Sequence, residues 1–155
     1  MRVLLVGGGR PGLALTRALT ADGHAVRFVT RTDERRADIE AAGGECWIGD
    51  PDRIGSLRYA LDNVTVLLWL LGPVAADDGE LHGSRLTMML ERTIDTTVRG
   101  VVYEGTAAGA AEVRRMAAYN EIPYAILDAS RDDEDTWVAA VLEAIDGVLA
   151  APRGR

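Results

Sequence analysis

Lysine is missing from the chain: all seventeen cationic side chains among its 155 residues are arginines. Whatever the origin of that bias, no side chain here can form a Schiff base with a carbonyl substrate or shuttle a proton through an amine. Cysteine occurs once, at Cys46, and histidine twice, at His24 and His82. A single thiol excludes an internal disulfide and a clustered thiolate metal centre, and so few soft ligands make a zinc site a poor expectation. Long apolar runs are missing too. The longest, Val64 to Leu71, is strand-length and interrupted by Thr65, far short of the roughly 20 residues of a membrane helix. The formal charge is −7, with no cationic surplus to attract a phosphate backbone. The expectations are therefore no metal, no membrane and no nucleic-acid partner. Because strand-like sequence begins at Arg2, no signal peptide is expected, and the placement expected is cytoplasmic.

What is present is apolar material, 48% of the residues, enough for one domain with its own core. Period and punctuation predict six strands, each followed by a helix. Arg2–Val6 leads to a helix over about Pro11–Asp22, stopped by Gly23, and Ala25–Thr30 to a helix over about Asp33–Ala42. Glu45–Ile48 is followed by Asp50-Pro51, read as cap and first helical position of a helix running to about Leu61. Val64–Leu71 is apolar on both faces, as at the centre of a parallel sheet. A loop, Gly72–Asp78, then precedes a helix over about Glu80–Asp95. Gly100–Tyr103, a helix over about Ala108–Tyr119, and Pro123–Leu127 follow. The last helix, about Asp132–Leu149, carries Trp137, Val138, Val141, Leu142, Ile145, Val148 and Leu149 on one stripe, with Ser130 as its cap and its acidic start complementing the helix dipole. This alternation implies an α/β domain over residues 1–155, a parallel sheet in the order 3-2-1-4-5-6 with helices on both faces.

The first strand runs into Gly7-Gly8-Gly9-Arg10-Pro11-Gly12, a G-x-G-x-x-G between strand and helix. That context predicts a dinucleotide loop. Gly7 serves the tight turn, Gly9 admits a pyrophosphate to the backbone, and Gly12 lets helix and sheet pack closely, with the helix amides facing the phosphates. An acidic residue at the end of the second strand would select the ribose hydroxyls of NAD. Here stand Thr30, Arg31 and Thr32, and a guanidinium nineteen positions after Gly12 suits the 2′-phosphate of NADP. Arg10 in the loop, and Arg35 or Arg36 one turn on, extend the expected cationic cup. The same arginine read without a ligand is a solvated loop charge.

The stretch Gly43 to Leu68, GGECWIGDPDRIGSLRYALDNVTVLL, resembles the region between third and fourth strands of atypical and extended short-chain dehydrogenases. The resemblance covers residues 1 to 72 well and the remainder in element order alone. It implies NAD(P) binding, with Asp50 toward the adenine amino group and Leu71, Gly72 and Pro73 along the cofactor. Asp50 also has a sufficient reading as a helix cap. The chain departs from the family at its catalytic Tyr-x-x-x-Lys: Tyr103 is followed four residues on by Ala107.

Two functions stay open. One is a small NADP-dependent oxidoreductase acting on a small-molecule substrate, with Glu104, Thr106 and His82 its sole proton-handling candidates, each with a structural reading beside it. The other is a non-catalytic module that senses NADP. A likeness to nucleotide-sensing domains of potassium-transport systems ranks below both, since those carry an acid where Arg31 stands. No catalytic acid or base is assigned. A surplus of apolar residues on the helix over Glu80–Asp95, namely Leu81, Leu86, Met88, Met89, Leu90 and Ile94, is read either as a homodimer face or as a broad core face.

Overall fold

A computed structural model describes residues 1–74 and 80–152, so part of the predicted loop Gly72–Asp78 lies outside the described residues. Its strands are β1 (Arg2–Gly7), β2 (Ala25–Thr30), β3 (Glu45–Ile48), β4 (Val66–Leu70), β5 (Gly100–Glu104) and β6 (Tyr124–Ile126). Its helices are α1 (Gly9–Ala21), α2 (Arg36–Ala41), α3 (Ser84–Thr93), α4 (Ala107–Asn120) and α5 (Glu134–Ala150). All strand pairs are parallel, in the order β3-β2-β1-β4-β5-β6, as the alternation of elements predicts.

Strand periodicity divides the core into two layers. Leu4 and Val6 of β1 join Leu67 and Trp69 of β4 on the face covered by α3 and α4. Val3 and Leu5 join Val66, Leu68 and Leu70 on the face covered by α1 and α5. β4 is fully buried along its length, which is why it reads as an unbroken apolar run. On α5 the centre of the predicted stripe, Trp137, Val141, Ile145 and Val148, is buried, while Val138, Leu142 and Leu149 flank it and are only partly buried.

Several helix boundaries differ from expectation, each for a local reason. The segment after β3 forms two short 3-10 turns, Ile54–Leu57 and Tyr59–Leu61, in place of one α-helix. The Ser56 hydroxyl donates toward the carbonyls of Asp50 and Arg53 and accepts the Asp50 amide. Arg27 Nη1 takes the carbonyls of Ala60 (2.6 Å) and Asp62 (3.0 Å). Such side-chain bonds compete with a helical ladder. Asp50 caps no helix; its carboxylate accepts the Asp52 amide at 2.9 Å and closes a turn. The α2 region opens with a 3-10 turn, Asp33–Arg35, capped by Thr32. For α5 the cap is Asp133, which accepts the Thr136 amide and hydroxyl, while Ser130 accepts the Asp132 amide one turn early.

α3 is shorter than predicted. Glu80 stays in the preceding turn, where its carboxylate accepts from the Ser84 hydroxyl, and the helix ends before Asp95, whose φ of 63° is left-handed. Leu81, Leu86, Met89 and Leu90 are core residues, leaving Met88 and Ile94 as the exposed apolar side chains of the stripe. The apolar surplus on which the homodimer expectation rested is thus mostly core. Among the described residues no helix is long and apolar enough to cross a membrane.

Candidate functional site

The site begins where β1 leaves the sheet. Gly7 has φ +85°, and a Cβ there would lie 2.1 Å from the Leu70 carbonyl oxygen, so the chain turns between β1 and β4 only without a side chain. The Gly8 amide donates to that carbonyl at 2.9 Å. α1 starts at Gly9, two residues before the predicted Pro11. The amides of Gly9 and Arg10 therefore lie in the first turn, where a helix has no internal acceptors, and Pro11 has no amide to leave unpaired. Gly12 packs on the Phe28 ring and Leu5, as expected of a residue that lets helix and sheet approach.

Beside this loop, at the carboxyl ends of β1, β2 and β3, lies a cavity of about 310 Å³. Gly7 and Gly9 form one wall, Thr30, Arg31, Thr32 and Arg35 another, and Gly49, Pro51 and Leu71 the far side, over a floor of Val6, Phe28 and Val29. Arg31 is largely exposed at the rim, its Nε 3.4 Å from Asp50 Oδ1. Arg35 lies over the Phe28 ring at 5.6 Å. Two guanidinium groups thus share a cleft with the glycine turn, and planar cationic donors of this kind are able to pair with phosphate oxygens.

The remaining expected residues fall elsewhere. Arg10 lines a separate groove on the outer side of α1 with Arg17, Asp38 and Glu134, so it does not complete the cup. Arg36 is tied to Asp33 and Glu40. Asp50 sits behind Arg31 as its ion-pair partner, whereas its neighbours Gly49 and Pro51 reach the cavity. Gly72 and Pro73 lie past Leu71 and do not line it; the Gly72 amide donates to Glu104 Oε1 at 3.1 Å.

That carboxylate belongs to a cluster the sequence reading passed over. Arg131, just after β6, reaches back across the carboxyl ends of β1, β4 and β5. Its Nε donates to Glu104 Oε1 at 3.1 Å and Oε2 at 3.3 Å, its Nη1 to the Gly8 carbonyl at 3.0 Å, and its Nη2 to the Leu70 carbonyl at 2.8 Å and to Glu104. The Trp137 indole donates to Glu104 Oε2 at 2.8 Å and lies 4.9 Å under the Arg131 guanidinium. Glu104 is buried. The available signal was a carboxylate ending an otherwise apolar strand, which needs a cation nearby.

The other proton-handling candidates are equally committed. The Thr106 amide donates to the Tyr103 hydroxyl at 3.0 Å, and the same hydroxyl shares a hydrogen bond with His82 Nδ1 at 2.6 Å. His82 Nε2 lies 3.1 Å from the Val74 carbonyl, an acceptor only, so this nitrogen donates. Gly105 and Gly109 make the room: a Cβ on either would overlap the tyrosine hydroxyl. The Thr106 side chain caps α4 by accepting the Gly109 amide. Among the described residues no cluster of His, Cys, Asp and Glu could hold a metal.

In comparisons with known proteins, no family model and no curated sequence matches the chain. Solved structures do. The triphenylmethane reductase of Citrobacter sp., complexed with NADP(H), matches with a TM-score of 0.67 at 22% identity, over 84% of this chain and 50% of that one. An NADPH-dependent quinone oxidoreductase of Escherichia coli, complexed with NADPH, gives 0.62 at 17% identity over 82% and 48%. The UDP-glucose 4-epimerase of Thermotoga maritima gives 0.65 at 13% over 81% and 54%. The chain spans about half the length of these proteins and matches their fold; its own six-stranded parallel sheet with flanking helices is of the Rossmann type.

Proposed function

We propose that this domain binds NADP(H), with the adenosine 2′-phosphate held by Arg31 and Arg35 and the adjoining phosphates by the first amides of α1. The observation that carries this reading is the placement of two guanidinium groups in one cleft with a glycine turn. Thr30 and Gly49 complete the ribose side of that cleft. The NADP(H) and NADPH complexes of two structural relatives support the choice of cofactor. Bound NADP(H) would bring a hydride-transferring nicotinamide. The chain's own residues bind and orient the nucleotide, and Asp50 fixes Arg31 at the rim.

A non-catalytic role is favoured over a small oxidoreductase by the bonding of the proton-handling candidates. Glu104 neutralises Arg131, His82 and Tyr103 satisfy each other, and Thr106 caps a helix. Incubation of NADPH with a panel of carbonyl compounds separates the two roles, the expected outcome being binding without turnover.

Calorimetric titration tests the binding itself. A charge-assisted contact to phosphate contributes about 1.5–3 kcal/mol, and the exposure of Arg31 places the expectation at the lower end, about a tenfold preference for NADP+ over NAD+. Arg31→Ala should remove most of that preference while leaving NAD+ binding little changed. Equal affinities in the wild type, or an undiminished preference in the variant, would refute the assignment. Gly9→Val is not a clean alternative, because Gly9 has φ +56° and a β-branched residue would be strained there whatever the ligand.

A further inference from the structure

A dinucleotide in a sheet of this order lies across the switch point, one half beyond β1, β2 and β3, the other beyond β4, β5 and β6. The two sides are unlike here. Apart from Leu71 at the end of β4, the cavity is lined from the first side, and no described residue beyond Leu71 contributes to its lining. On the second side the groups a ligand would approach are in use. The Gly8 and Leu70 carbonyls accept from Arg131, and the Gly72 amide donates to Glu104. The Arg131 guanidinium itself donates to that carboxylate along its edge and lies over the Trp137 indole. A volume of about 310 Å³ stands at the low end of small-molecule sites.

Resting on the reading of the cleft given above, we propose that the domain recognises the 2′-phosphorylated adenosine end alone. The Arg131–Glu104–Trp137 latch keeps the nicotinamide end off the sheet. The ligand class is then an adenosine carrying a 2′-phosphate and a 5′-phosphate chain, whatever is attached beyond. Such a site reports the amount of 2′-phosphorylated nucleotide and is indifferent to whether the nicotinamide is oxidised or reduced, because no described group meets the ring.

The test uses the full chain and four probes: NADP+, NADPH, adenosine 2′,5′-bisphosphate and nicotinamide mononucleotide. Calorimetry should give the first three dissociation constants within about threefold of one another, less than 1 kcal/mol apart, and no heat from millimolar nicotinamide mononucleotide. The three indole N–H signals in a nitrogen-15 correlation spectrum report the latch directly. Trp47, two residues before Gly49 of the cavity wall, should shift on binding, while Trp137 should not. NADP+ binding tighter than the bisphosphate by about tenfold or more, a measurable site for the mononucleotide, or a Trp137 signal that moves with NADP+ and stays with the bisphosphate would overturn the latch. In each of those cases adenosine-end binding stands. If neither NADP+ nor the bisphosphate binds, the nucleotide reading itself fails, and the latch proposal with it.

Discussion

Replacing Glu104 by glutamine keeps the shape of the side chain and removes its charge, which isolates what the latch contributes to stability. The carboxylate receives the Arg131 guanidinium, the Trp137 indole and the Gly72 amide, with side-chain exposures of 9% for Glu104 and 19% for Arg131. Removing one member of a buried ion pair typically costs about 3–5 kcal/mol, because the survivor is left charged and unpaired. Arg131 keeps two backbone carbonyls and some contact with water, so the expected loss for Glu104→Gln is smaller, about 2–3 kcal/mol. For a domain of this size that is a fall in Tm of about 4–12 °C. The glutamine amide cannot rescue the pair, since one of its two ends turns N–H donors toward a guanidinium that also only donates. Adding Arg131→Met removes the stranded charge, and the double variant should recover at least half of the loss. Urea unfolding followed by tryptophan fluorescence measures all four members of the cycle, with the dependence on urea unchanged if the unfolded state is unaffected. A loss below about 0.5 kcal/mol for Glu104→Gln, or a double variant as unstable as the sum of the singles, would show that the pair is not coupled as described.

Tyr103→Phe deletes the hydroxyl shared by His82 and the Thr106 amide and should cost about 1–3 kcal/mol, the penalty of leaving buried polar groups unmatched; the same urea titration measures it, and an unchanged midpoint would contradict the bonding scheme. The Thr136 hydroxyl, and then its amide, hold the Asp133 carboxyl below its usual range. Its folded-state pKa is depressed, so the cap's contribution is present above the unfolded carboxylate pKa and is lost as pH falls through the folded value. The difference in Tm between the wild type and Asp133→Ala should therefore shrink on acidification, and a difference constant across that range would count against the cap.

The order of the sheet was legible because each strand carries its own apolar signature and each connection is long enough for a right-handed crossover. The glycine turn was legible for a similar reason, since its chemistry is local to Gly7 through Gly12. The arginines were only partly so. Arg31 and Arg35 reach the cleft, but Arg10, which is nearer in sequence to the loop, is carried to the outer side of α1 by the helical rotation beginning at Gly9. Spacing alone does not give that angle until the start of the helix is known to the residue. The short 3-10 turns after β3 were hidden because Arg27 and Ser56 decide them, through bonds spanning up to 35 positions. The Glu104–Arg131 pair was hidden likewise: 27 residues separate its members, and only the adjacency of β5 and β6 brings them together.

Arg27 and Arg131 grip the fold in the same manner at opposite ends of the sheet. Each guanidinium spreads over two backbone carbonyls and a carboxylate in its own plane, and lays a flat face against an indole, at 5.3 Å for Trp47 and 4.9 Å for Trp137. An ammonium group has three donors arranged as a tripod and no face to stack, so it cannot serve a planar set of acceptors and an aromatic ring at once. The all-arginine composition therefore has two unequal parts. At surface positions such as Arg115, paired with Glu112 one turn away, lysine is a workable substitute, whereas at these two positions the loss of the planar fork would unfasten strand from turn.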